Sequence, residues 1–147
     1  MEAWKKRFWI FGFPPLLWML VIFTLSSIPG RYIPRSLPVH HFGHFIEYSV
    51  FGVLLARALA HLNIRLNVLT LSLLSILLII LFAIFDEWRQ SFVPGRHNNW
   101  YTIFFDGAYA TLGVAFYDEI VFVLFKKRTK GHRLNGIRAA RARTKKS

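Results

Sequence analysis

Residues 68–96 read VLTLSLLSILLIILFAIFDEWRQSFVPGR: eighteen uncharged residues, 68–85, end in the adjacent carboxylates Asp86 and Glu87, then Arg89, Gln90 and a Pro-Gly-Arg turn. The apolar run approaches the roughly 20 residues that a helix needs to cross a hydrocarbon core of about 30 Å. Three further stretches of the same kind, 8–28, 43–60 and 102–125, lie at even spacing on either side of it. With 54% of 147 residues hydrophobic and 17% aromatic, little sequence is left for a water-soluble domain. The expected fold is therefore an all-α integral membrane protein with four transmembrane helices over residues 1–125 and a basic tail over 126–147.

The first apolar stretch follows Lys5, Lys6 and Arg7 in the manner of a secretory signal. It exceeds the usual apolar region of about 7 to 15 residues, contains Pro14-Pro15 and lacks an Ala-x-Ala cleavage site, so it reads as a retained helix. The chain has no cysteine, which excludes disulfides and thiolate metal sites.

Lysine and arginine near helix ends mark the cytoplasmic side. Lys5, Lys6 and Arg7 precede the first helix, Arg57 and Arg65 bracket the second connection, and the tail is crowded with basic residues. Four spans then place both termini in the cytoplasm and the loops 29–42 and 88–101 outside, although those loops carry Arg31, Arg35, Arg89 and Arg96. The formal net charge of +12 invites a nucleic-acid reading of the tail. Because the cluster follows a membrane helix directly, anionic lipid headgroups are the simpler partner, and no nucleic-acid partner is expected.

This topology brings polar residues from every helix to one level near the external boundary. Ser26 and Ser27 close the first helix; His44, Glu47 and Tyr48 open the second; Asp86 and Glu87 close the third; Asp106 lies about one turn into the fourth. His44 shares a helical face with Glu47 and Tyr48, and Asp86 with Gln90, by their spacings of three and four residues. Carboxylates are disfavoured near a helix C-terminus and costly near lipid, so Asp86 and Glu87 call for cations, with Arg89, Arg96 and His44 nearest. Pro94 and Gly95 suit a turn that folds Arg96 back over Glu87. On the cytoplasmic half, Asp118 and Glu119 read as partners for Arg57, Arg65 or the tail. His40, His41, His44 and Glu47 are ligand types that zinc accepts. Pro38 places His40 at the very start of the helix, and no metal or other cofactor is expected.

The motifs HFIEYSVFG and DEWRQSFVPGR together resemble the VanZ-like membrane proteins, small bacterial proteins named for one that gives resistance to the glycopeptide teicoplanin. The resemblance runs over residues 24–113 through Ser26, Ser27, His44, Phe45, Tyr48, Asp86, Glu87, Gln90, Pro94, Gly95 and Arg96. It implies four helices in a bacterial cytoplasmic membrane, multi-pass, but no known reaction. His40 and His41 stand where the family often has Asp-Lys, Thr102 where it commonly has Asp, and Tyr109 where it has Gly; Asp106 and Gly113 match.

Two functions stay open at this point. The first is a non-catalytic binder whose external polar site takes a lipid headgroup or cell-envelope component, with lower teicoplanin susceptibility as the consequence. The second is a membrane enzyme, a hydrolase or transferase, acting on a lipid-linked phosphate or glycan. In the enzyme, His44, Glu47, Asp86, Glu87 and Arg96 supply the acid, base and charge-stabilising groups. Ser26, Ser27, Tyr48, Arg89, Gln90 and Asp106 hold substrate, and Arg89 and Arg96 suit phosphate. No nucleophile motif is present, and the oligomeric state is not legible.

Overall fold

The computed structural model describes the backbone of residues 2–32, 37–61, 66–96 and 100–144, with described side chains reaching to residue 124. Arg35, Arg65, the side chain of His40 and the basic side chains of the tail lie outside this set. Among the described residues every regular element is a helix, and none is a strand. Helix α1 (Glu2–Arg7) runs through a π-helical turn, Phe8–Gly12, into α2 (Phe13–Ser26). Then follow α3 (Leu37–Ala60), α4 (Val68–Gln90) and α5 (Trp100–Thr144). Among the described residues three helices are long and apolar enough to cross a membrane, Trp4–Ser26, His41–Ala60 and Val68–Gln90. In α5, the fourth expected span, Asp106, Asp118 and Glu119 break the apolar run of an unbroken helix.

Local chemistry accounts for the breaks and starts. Pro14 and Pro15 open α2 and lack the N–H groups that the preceding carbonyls need. The chain widens by one residue before them, so that Phe13 N–H reaches the Phe8 carbonyl, a π turn. Helix α4 starts at Asn67, whose side-chain oxygen accepts from the Thr70 N–H and hydroxyl, both at 2.8 Å. This cap satisfies one otherwise orphaned backbone donor.

The chain divides into two compact units, residues 1–117 and 118–147. In the first, the contacts fix the direction of each helix. Trp18 Nε1 donates to the Glu47 carbonyl at 2.9 Å, and Phe11 stacks on His61, so α3 runs antiparallel to the first helical rod. Phe23 packs on Phe82 and Ser26 bonds Asp86, which makes α4 parallel to α2. His44 meets Asp106, and Ser49 donates to the Tyr109 carbonyl at 3.2 Å, so α5 runs parallel to α3. The result is an up-down-up-down arrangement around Ile22, Tyr48, Phe51, Ile79, Phe82, Ala83 and Ala110.

Two glycines set how closely α3 and α5 approach. A Cβ on Gly113 would run into the Ser49 backbone carbonyl, and one on Gly52 into that of Ala110. Small residues allow this backbone contact where lipid supplies no hydrophobic drive for helix association. Large apolar side chains such as Leu20, Leu69, Leu77, Leu81 and Phe104 point outward, as a lipid-facing surface requires.

Candidate functional site

The polar residues of all four rods meet at one end of the bundle, where α2 and α4 finish and α3 and α5 begin. They form two hydrogen-bonded groups. In the first, Asp86 is 1% exposed at the end of α4. Its Oδ1 accepts from Ser26 Oγ at 2.8 Å and from Arg89 through one terminal nitrogen at 2.9 Å and Nε at 3.3 Å. Its Oδ2 accepts from Gln90 Nε2 at 2.7 Å. Arg89 also donates to Ser26 Oγ, to Ser27 Oγ at 2.9 Å and to the Phe23 carbonyl at 3.3 Å, while its guanidinium lies over the Phe23 ring. Oδ1 is thus fully used and Oδ2 is bonded once, and the adverse position at a helix C-terminus is offset by a cation one turn further on.

The second group joins α3 to α5. His44 Nδ1 and Asp106 Oδ1 are 2.8 Å apart, with Asp106 buried and His44 mostly so. Tyr48, 1% exposed, stacks against the His44 ring and belongs to the core, so it supports the imidazole from behind. Glu47 is half-buried and lies within electrostatic reach of His44, Asp106, Asp86 and Arg96. Glu87 is buried and faces the same region, within reach of His44, Tyr48 and Arg96.

Arg96 closes the layer from the loop. Gly95 has φ 76°, and Arg96 N–H bonds the Val93 carbonyl at 3.1 Å, so Val93–Arg96 makes the expected turn with Pro94 second and Gly95 third. The turn brings the side chain within electrostatic reach of Glu87, and its donors bond the end of α2: Nε donates to the Ile28 carbonyl at 3.2 Å and a terminal nitrogen to the Leu25 carbonyl at 3.3 Å. These carbonyls lie at the end of α2 and just past it, where helical carbonyls run short of backbone donors; that of Leu25 also accepts from the Ile28 N–H at 3.2 Å. Partial burial lowers the Arg96 pKa, and nearby Asp86, Glu47 and Glu87 oppose that shift.

Of the three cations expected near Asp86 and Glu87, Arg89 pairs with Asp86, while His44 pairs with Asp106; the phosphate-holding role also expected of Arg89 falls on a guanidinium already bonded to Asp86. Of the partners expected for Asp118 and Glu119, namely Arg57, Arg65 or the tail, Arg57 rests on the Phe11 ring with its guanidinium carbon 5.0 Å from the centroid, and Arg65 and the tail side chains lie outside the described residues. Among the described residues no group of three or more histidines and carboxylates is arranged to hold a metal. One feature escapes a reading by motif. Gly30 N–H bonds the Pro94 carbonyl at 3.1 Å, and Gly30 sits so close to Gly95 that any side chain would strike the Gly95 carbonyl. The only sequence signal is the Pro29-Gly30 pair after α2, which announces a turn but not its partner.

No protein-family profile matches the chain, and neither a curated protein nor a solved structure matches it.

Proposed function

We propose that the polar layer is a binding site at the external face of a bacterial cytoplasmic membrane, where it holds the headgroup of a lipid or cell-envelope component without catalysing its conversion. In this reading four spans cross the bilayer with both termini in the cytoplasm, α5 being the fourth. The observation that carries the non-catalytic part is the engagement of Asp86 in four hydrogen bonds across two helix ends. A carboxylate that already accepts from Ser26, Arg89 and Gln90 is committed to holding the helix ends together, a structural role rather than that of a proton carrier.

Charge narrows the class of headgroup. The layer holds four carboxylates, Glu47, Asp86, Glu87 and Asp106, against two guanidinium groups, Arg89 and Arg96, and the His44 imidazole. With Arg89 committed to Asp86, a bare phosphate meets more negative than positive charge. A headgroup rich in hydroxyl, amide and amine donors, such as a glycan or peptide, matches the acceptors better. The motif resemblance to VanZ-like proteins, which rests on short stretches rather than a profile match, makes teicoplanin susceptibility the first phenotype to read.

The test is the teicoplanin susceptibility of a sensitive bacterium expressing the chain, wild type beside Glu47→Gln, at matched membrane abundance. Protection by wild type and its loss in Glu47→Gln are expected. Equal susceptibility of wild type and empty-vector cells would remove the antibiotic role from the proposal.

A further inference from the structure

The opposite end of the bundle carries a second cluster. The rings of Phe11 and His61 stack with centroids 3.7 Å apart and planes 12° from parallel, and Arg57 lies over the same Phe11 ring. The π turn Phe8–Gly12 sets this ring against the last turn of α3. His61 Nδ1 donates to the Arg57 carbonyl at 2.8 Å, the residue is exposed, and among the described residues Nε2 makes no hydrogen bond. Arg57 is half-buried, yet among the described residues its guanidinium N–H groups make no hydrogen bond or ion pair. Lys5 and Lys6 are exposed on the same helical rod, about one to two turns before Phe11 at roughly 1.5 Å per residue. Glu2 is the acidic residue of that rod's first turn.

We infer that Arg57, His61 and the Phe11 ring form a binding site for the phosphate of an anionic lipid headgroup. The inference rests on the membrane-spanning reading above, but uses residues far from the polar layer. A guanidinium with unused donors, held flat on a ring, is pre-oriented for an oxyanion, because fewer of its rotamers are lost when it binds. The doubly protonated form of His61 offers a second donor at Nε2. The depth also fits. Arg57 lies three residues inside Ala60, the end of a candidate span, and Trp4 and Trp9, both exposed, mark the interface on the first rod. Lipid phosphates occupy that level, whereas a soluble phosphate would have to enter it from water.

The test uses the full chain in nanodiscs of phosphatidylcholine with a minority of phosphatidylglycerol in both leaflets, so membrane orientation does not affect the result. Native mass spectrometry counts the phosphatidylglycerol retained on release. Wild type is expected to retain it over phosphatidylcholine, and Arg57→Gln and His61→Ala to lower that retention about tenfold. Arg57→Lys, which keeps charge but loses the planar fork, falls between. His61 is exposed, so its variant carries the test should Arg57→Gln misfold. The basic tail is present in every variant and contributes equally. Displacement of the lipid by excess inorganic phosphate supports a site that reads the phosphate group alone; retention supports one that needs the bilayer-anchored headgroup. Equal phosphatidylglycerol retention by wild type, Arg57→Gln and His61→Ala overturns the inference, and leaves the external site untouched.

Discussion

At the scale of residues, Asp86 is the hub on which the polar layer depends. Its four donors come from two rods, Ser26 on α2 and Arg89 and Gln90 on α4 and its end. Asp86→Ala strands the Arg89 cation beside lipid and is expected to lower stability by about 3 kcal/mol, read as thermal unfolding in detergent. The double change Asp86→Ala with Arg89→Met removes both charges and should recover part of that loss; no recovery would mean that the pair does not set the cost. Ser26→Ala deletes one neutral donor and is expected to cost about 1 kcal/mol. That Asp86 needs a cation was legible from its place at the end of an apolar helix. Which cation was not, because three candidates lay within reach and the choice depends on rotamers: Arg89, one turn on, can bond Asp86, Ser26, Ser27 and the Phe23 carbonyl together.

At the scale of elements, two backbone contacts hold the rods in register. Gly113 touches the Ser49 carbonyl and sits two turns beyond Asp106, so the α3–α5 crossing places His44 beside Asp106. Gly113→Val pushes backbone against backbone, which no rotamer relieves, and is expected to cost about 1–3 kcal/mol. Gly107→Ala, whose nearest neighbour is the Ile80 side chain at 3.4 Å, should be tolerated and serves as the control. Gly30→Ala is expected to detach the exit of α2 from the turn at Gly95, seen as faster proteolysis in the loop at 91–96. The helices themselves were readable from four apolar stretches, and the turn from Pro94-Gly95. The glycine contacts were not, since a glycine in an apolar helix looks alike whether it faces lipid or a neighbouring backbone.

At the scale of the whole molecule, the central claims are the orientation and the use of the polar layer. The absence of cysteine makes orientation directly measurable. In intact cells, a membrane-impermeant maleimide is expected to label Ser91→Cys and spare Asn67→Cys; the reverse pattern would invert the topology. The convergence of Ser26, His44, Glu47, Asp86 and Asp106 at one end was legible because side assignment used only Lys and Arg, leaving these residues as an independent check. The division between structural and ligand-facing roles was not, because it depends on which oxygens are already bonded. The most direct measurement of the layer's use is native mass spectrometry of the full chain in nanodiscs with a polyprenyl-linked disaccharide, wild type beside Glu47→Gln. A bound, chemically unchanged adduct on wild type that weakens in Glu47→Gln is predicted. Release of a cleaved or transferred product, or equal adducts on both proteins, would contradict a non-catalytic external binding site.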